Sequence, residues 1–149
     1  MIRTSLIAGA LALLLFIPQA RASESVQEQR HKLMESAKEA AKPIGGMMKG
    51  EVEFDAAVVM ESFGTWEHVA ATAGQLFPEG SETGYNTEAK ETIWTDRAGF
   101  EQKLKEFSVA VSNAVVAAPQ NVDELKEAAG PVFQSCKGCH ENYRVEDEN

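Results

Sequence analysis

Asn121-Val122-Asp123-Glu124-Leu125-Lys126-Glu127-Ala128-Ala129-Gly130-Pro131-Val132-Phe133-Gln134-Ser135-Cys136-Lys137-Gly138-Cys139-His140-Glu141-Asn142-Tyr143 is the stretch on which the fold turns. Val122, Leu125, Ala129, Val132, Phe133, Cys136, Cys139, His140 and Tyr143 recur at three and four, the spacing of one helix face. Asn121 is a capping residue type, and Glu124 stands three residues on, at capping-box spacing. Gly130-Pro131 should kink the helix. Both cysteines of the chain and one of its histidines therefore share a helix face with apolar residues.

Upstream, three more stretches carry the same period. A helix is predicted from Thr87 to Ala118, stopped by Pro119, with Ile93, Trp94, Arg97, Phe100, Leu104, Phe107, Val111, Ala114, Val115 and Ala118 in register. Before it, Leu76 to Asn86 holds Pro78, Gly80 and Gly84 among polar residues and reads as a loop. A second helix is predicted from Glu53, or from Asp55, to Gln75, with Phe54, Val58, Ser62, Trp66, Val69, Ala73 and Leu76 on its stripe. The first is predicted from Glu24 to Lys49, with Val26, Leu33, Met34, Ala37, Ala41, Ile44 and Met48 inward, a bend at Pro43 and an end at Gly50. No stretch alternates as a strand does. Four amphipathic helices with mostly short connections predict an all-α, antiparallel up-down four-helix bundle. Helices of about 25 residues are about 37 Å long, enough to hold a flat cofactor side-on.

The beginning of the chain is of another kind. Arg3, the apolar run from Leu6 to Ile17, Pro18 and the small-x-small pattern Ala20-Arg21-Ala22 read as a secretory signal peptide cleaved after Ala22. The apolar run is about a dozen residues, against roughly 20 for a membrane span. One domain is then expected over 23–149, with no membrane anchor after cleavage and a periplasmic location. Cleavage removes Arg3 and Arg21 and no acid, so the net charge goes from −9 to −11. That balance argues against nucleic acid and anionic membranes and permits a basic protein partner.

Cys136-Lys137-Gly138-Cys139-His140 is a C-x-x-C-H motif, the attachment pattern of a c-type haem. On a helix, thiols at i and i+3 can reach the two vinyl groups of one porphyrin, and an imidazole at i+4 can sit beneath the iron. A thioredoxin-like C-x-x-C wants a βαβ context, which is not visible. A structural zinc site wants four ligands, and three are clustered here. A Cys136–Cys139 disulfide remains an alternative.

The motif near the chain end, on a last helix, resembles the class II cytochromes c, the four-helix-bundle family of cytochrome c-prime and its low-spin relatives. Arg30-His31-Lys32-Leu33-Met34, Leu76-Phe77-Pro78, Ile93-Trp94 and Cys136 to Arg144 carry the resemblance. It implies one covalent haem c on Cys136 and Cys139, with His140 as axial iron ligand. It places Met34 on the distal side of the haem, as sixth ligand in the low-spin, cytochrome c-556-like branch that the chain resembles more closely. A Met there can equally serve as a plug over five-coordinate iron. Arg30, four residues before Met34, is a candidate partner of a haem propionate. Arg144, one turn after His140, is a candidate for the proximal side. Met47, Met48 and Met60 read as core filler, and His31 and His68 as surface residues.

Two functions compete on one haem. A filled sixth position implies an electron carrier, whose acidic surface would steer a basic redox partner. An open one implies binding of small gases such as nitric oxide or carbon monoxide. A third reading is a haem-free, disulfide-bonded binding protein. No convergent catalytic carboxylates, second metal cluster or phosphate loop indicate an enzyme. A homodimer and a monomer are both compatible with the helix stripes.

Overall fold

A computed structural model describes residues 24–145. The predicted signal peptide, 1–22, and the acidic end Glu146–Asn149 lie outside the described residues. Six helical pieces follow one another: α1 (Val26–Lys49), α2 (Ala56–Thr72), a 3-10 turn (Ala73–Leu76), α3 (Thr92–Thr95), α4 (Arg97–Ala117) and α5 (Val122–Tyr143). The four long helices form an antiparallel four-helix bundle in which α1 packs on α2 and α5, and α4 packs on α2 and α5. Among the described residues there is no strand, only an isolated bridge between Ala89 and Arg144.

Local chemistry sets the ends. Ser25 caps α1 through Glu28 N, and Asp55 caps α2 through Ala57 N and Val58 N. Helix α2 thus begins after Asp55, the later of the two expected starts, and its last turn tightens into the 3-10 segment. Asn121 caps α5 through Asp123 N and Glu124 N. The Glu124 carboxylate reaches past the cap residue to Gln120 N at 2.7 Å. Gly50 closes α1 at φ 75°, a left-handed conformation that suits glycine. The helices run on through Pro43 and Pro131.

The predicted helix over 87–118 is two helices and an extended lead-in. Its break is at Asp96 (φ −118°, ψ 55°), whose carboxylate accepts from Gly99 N and from the Tyr143 hydroxyl at 2.8 Å. The periodicity survived the break because Ile93 and Phe100 bury on both sides of it, in one cluster with Tyr143. Residues 77–91 form the connection, longer than expected.

The core is built from Ile44, Val59, Phe63, Trp66, Val69, Val111, Leu125, Ala129 and Val132, all nearly or fully buried. Helix α1 divides its apolar residues between two directions. Leu33, Ala40, Ile44 and Met47 enter this core, while Met34, Ala37 and Ala41 line a crevice. Met34, expected to point into the bundle, lines the crevice and is 37 % exposed. One expectation is corrected. Met60 is exposed rather than core filler, because the inward places of α2 are taken by Val59 and Phe63. Met47 is buried and Met48 packs half-buried against the core.

Candidate functional site

At the end of the bundle where α1 begins and α5 ends, the helices part around two adjoining hollows of about 170 and 540 Å³. Both are lined by Met34 of α1, Leu104 of α4 and Cys139 and His140 of α5, so they form one crevice. Cys136, Trp66 and Phe133 close the larger part, and Arg30, Phe77 and Tyr143 the smaller. Helical spacing explains the convergence. Cys136, Cys139 and His140 lie three and four apart on α5 and present one edge, beside the Val132 and Tyr143 positions that bury.

Their burial is intermediate. Both thiols are free. Burial pushes the Cys136 thiol up to about 11, with Cys139 adding to the rise, and burial also raises Cys139. Such thiols are neutral at ordinary pH. Burial lowers the affinity of His140 for a proton, and the Arg144 charge lowers it further, against a smaller opposing effect of Glu88. A neutral imidazole is the form that binds a metal.

Arg30 is buried in the wall. Its Nη2 donates to Ser81 O at 2.6 Å, and its guanidinium lies over the rings of Phe77 and Trp94, 4.8 and 5.7 Å from their centres. Its Nε and Nη1 have no partner. Burial depresses its pKa, with Glu82 opposing. A buried arginine with two unsatisfied donors beside a hollow is arranged for an anion. Arg144 is exposed at the extended cap of α5, with Nε 3.9 Å from the Glu88 carboxylate. His31 is exposed on the crevice rim, edge-on to Tyr85 with ring centres 6.2 Å apart, and His68 is exposed away from it.

The sequence reading named Trp66, Trp94 and Phe133 without deciding which approach the site. Trp66 and Phe133 line the crevice and meet edge to face at 5.5 Å, with Trp66 Nε1 donating to Ala37 O. Trp94 flanks Arg30 instead. Glu88, Tyr85 and Lys103 also line the crevice and were missed. Tyr85 and Glu88 stand in the connection, where no periodicity could have marked them.

A largely apolar cleft with two thiols and an imidazole on one wall, and a buried cation with unpartnered donors in another, fits a haem with its propionate side chains. Comparison with known proteins agrees. Cytochrome c' of Rhodopseudomonas palustris is 35 % identical over 124 residues, covering 83 % of this chain and 84 % of that protein. Its solved structure superposes with a TM-score of 0.80, covering 85 % of this chain and all of that one, at 33 % identity. Cytochrome c-556 of the same organism is 31 % identical over 97 % of both chains. A cytochrome c prime variant from Alcaligenes xylosoxidans, solved as its nitric oxide complex, gives a TM-score of 0.72 at 28 % identity, covering 81 % of this chain and 94 % of that one. With residues 25–144 matching the family model described as Cytochrome C', the chain belongs to the cytochrome c' family and is a helical mono-haem c-type cytochrome.

Proposed function

We propose that the chain is a periplasmic electron carrier, with its haem attached at Cys136 and Cys139 and its iron held between His140 and Met34. The observation that carries this reading is the placement of Met34. It leaves the core-directed stripe of α1 and lines both parts of the crevice, together with His140. The haem supplies a one-electron ferric–ferrous couple, and a thioether ligand favours the ferrous state. The protein supplies the rest. Cys136 and Cys139, whose thiols burial keeps protonated, would hold the haem through two thioether bonds. Arg30, whose Nε and Nη1 are buried without a partner, would supply the charge opposite a propionate. Arg144, held near Glu88, covers the proximal side. Phe133, Trp66 and Phe107 exclude water from the crevice.

Export rests on residues 1–22, and no helix among the described residues is long and apolar enough to cross a membrane. A basic redox partner would be drawn by the overall charge of −11 that cleavage after Ala22 leaves. A local patch contributes little, because Lys38 pairs with Glu35 and Lys103 with Glu106 at the crevice mouth. Dimer formation is a separate property, to be read from mass in solution.

The second reading is gas binding at five-coordinate iron, favoured by the relative solved with nitric oxide. Optical spectra of the ferric and ferrous protein, with and without carbon monoxide, separate the two. Electron transfer expects a low-spin spectrum with a Met-to-ferric charge-transfer band that Met34→Ala abolishes. A high-spin spectrum responding readily to carbon monoxide in the parent protein would make Met34 a plug and gas binding the function.

A further inference from the structure

We infer that the segment Glu88–Asp96 is a clasp that positions the turn of α5 bearing His140, with Tyr143 and Thr92 as positioning residues. The inference rests on the reading that His140 is the axial ligand. The last four carbonyls of a helix have no partner within it. In α5 the first of them keeps the helix's own bond, made by the cap residue, and the other three are satisfied from the segment at 90–92. His140 O accepts from Arg144 N at 3.0 Å, Glu141 O from Lys90 Nζ at 3.0 Å, Asn142 O from Thr92 Oγ1 at 3.2 Å, and Tyr143 O from Lys90 N at 3.0 Å. Val145 N closes the pairing on Glu88 O at 2.7 Å.

A side-chain bond locks the same turn from below. The buried Tyr143 donates its hydroxyl to Asp96 Oδ2 at 2.8 Å, while Asp96 Oδ1 caps α4 at Gly99 N. Gly99 leaves the room for this, since a Cβ there would overlap the Asp96 carboxylate and the Tyr143 hydroxyl. Tyr143 also packs edge-on against Phe100, ring centres 5.4 Å apart. A free helix end would fray, and the imidazole on it would move with it. The clasp therefore ties the orientation of His140 to α4, a different wall of the crevice. It also accounts for the break at Asp96, which an uninterrupted helix over 87–118 would remove.

The test uses the haem-loaded protein and three variants, Tyr143→Phe, Thr92→Val and Asp96→Asn. Two readouts are followed: amide hydrogen exchange along α5, and the paramagnetically shifted proton resonances of the His140 imidazole. Tyr143→Phe and Thr92→Val are expected to speed exchange at 143–145 by about tenfold, the loss of one hydrogen bond, and to move the His140 resonances. Asp96→Asn can keep its one oxygen on Gly99 N while its amide donates to the Tyr143 hydroxyl, so it retains both links and is expected to leave both readouts near the parent values. Faster exchange with unmoved His140 resonances would overturn the inference, as it would show a merely structural role. Unchanged exchange in both Tyr143→Phe and Thr92→Val would overturn it as well. Absence of shifted His140 resonances from the parent protein would overturn the ligation reading, and the inference with it.

Discussion

Replacing Arg30 with methionine should affect the haem-loaded and haem-free chains differently, and the size of the difference follows from its surroundings. In the protein without haem, Nε and Nη1 are buried donors with no partner, each costing about 1–3 kcal/mol. Against this stand the charge-assisted bond to Ser81 O, about 1.5–3 kcal/mol, and two cation–π contacts of about 0.5–1 kcal/mol each. The terms nearly cancel, so Arg30→Met should change haem-free stability by no more than about 1–2 kcal/mol. With haem present, a propionate takes up the two free donors and the penalty disappears. Removing the arginine then strips a buried carboxylate of its cation, a loss of about 3–5 kcal/mol. The two forms should differ by about 3 kcal/mol, roughly 10 °C in Tm for a chain of this size. The assay is urea unfolding of four proteins: the holoprotein and the haem-free Cys136→Ala/Cys139→Ala chain, each with and without Arg30→Met. Equal destabilisation of both forms would refute the propionate pairing.

Two further outcomes follow from the buried titrating groups. In the haem-free chain, Cys136 should react with iodoacetamide at a rate that climbs about tenfold per pH unit until pH approaches about 11, because only the thiolate attacks; a plateau near the free-thiol value of about 8.5 would contradict the burial argument. Burial and the bond to Asp96 push the Tyr143 hydroxyl up to about 12, against about 10 in an unfolded chain. A raised folded pKa means the proton is held more tightly by the native state. The stabilisation is therefore complete below about pH 10 and is lost as pH rises through about 12. Tyr143→Phe should remove that alkaline decline, and parallel curves for variant and parent would sink the assignment.

The helices were legible because their evidence is local. Leu125, Ala129 and Val132, or Trp66, Val69 and Ala73, announce a buried face by spacing alone, and all six bury. Asp55 and Asn121 mark starts by side chains that reach only two or three residues ahead. What escaped was non-local. The break at Asp96 depends on Tyr143, 47 residues away, and Lys90 and Thr92 find their acceptors 51 and 50 residues on. A periodic apolar pattern continues across such a break without a sign of it. Met60 was misread for a related reason: neighbouring offsets on α2 fit the period, and only packing against the other helices selected Val59 and Phe63.

The candidate site divides along the same line. Cys136, Cys139 and His140 lie within five residues, so helix geometry alone brings them to one face and the sequence by itself determined that wall. Met34 was placed at the site through family resemblance and Arg30 by standing four residues before it on the inward stripe, since nothing within α1 distinguishes a residue facing a crevice from one facing a core. Tertiary structure decided that Met34 lines the crevice while Leu33 enters the core, that the Arg30 guanidinium is buried with two free donors, and that segment 88–96 braces the end of α5. The physical reason is range. Backbone period and capping act over a turn or two, whereas burial, orphaned donors and long-range hydrogen bonds exist only once separate helices have closed on one another.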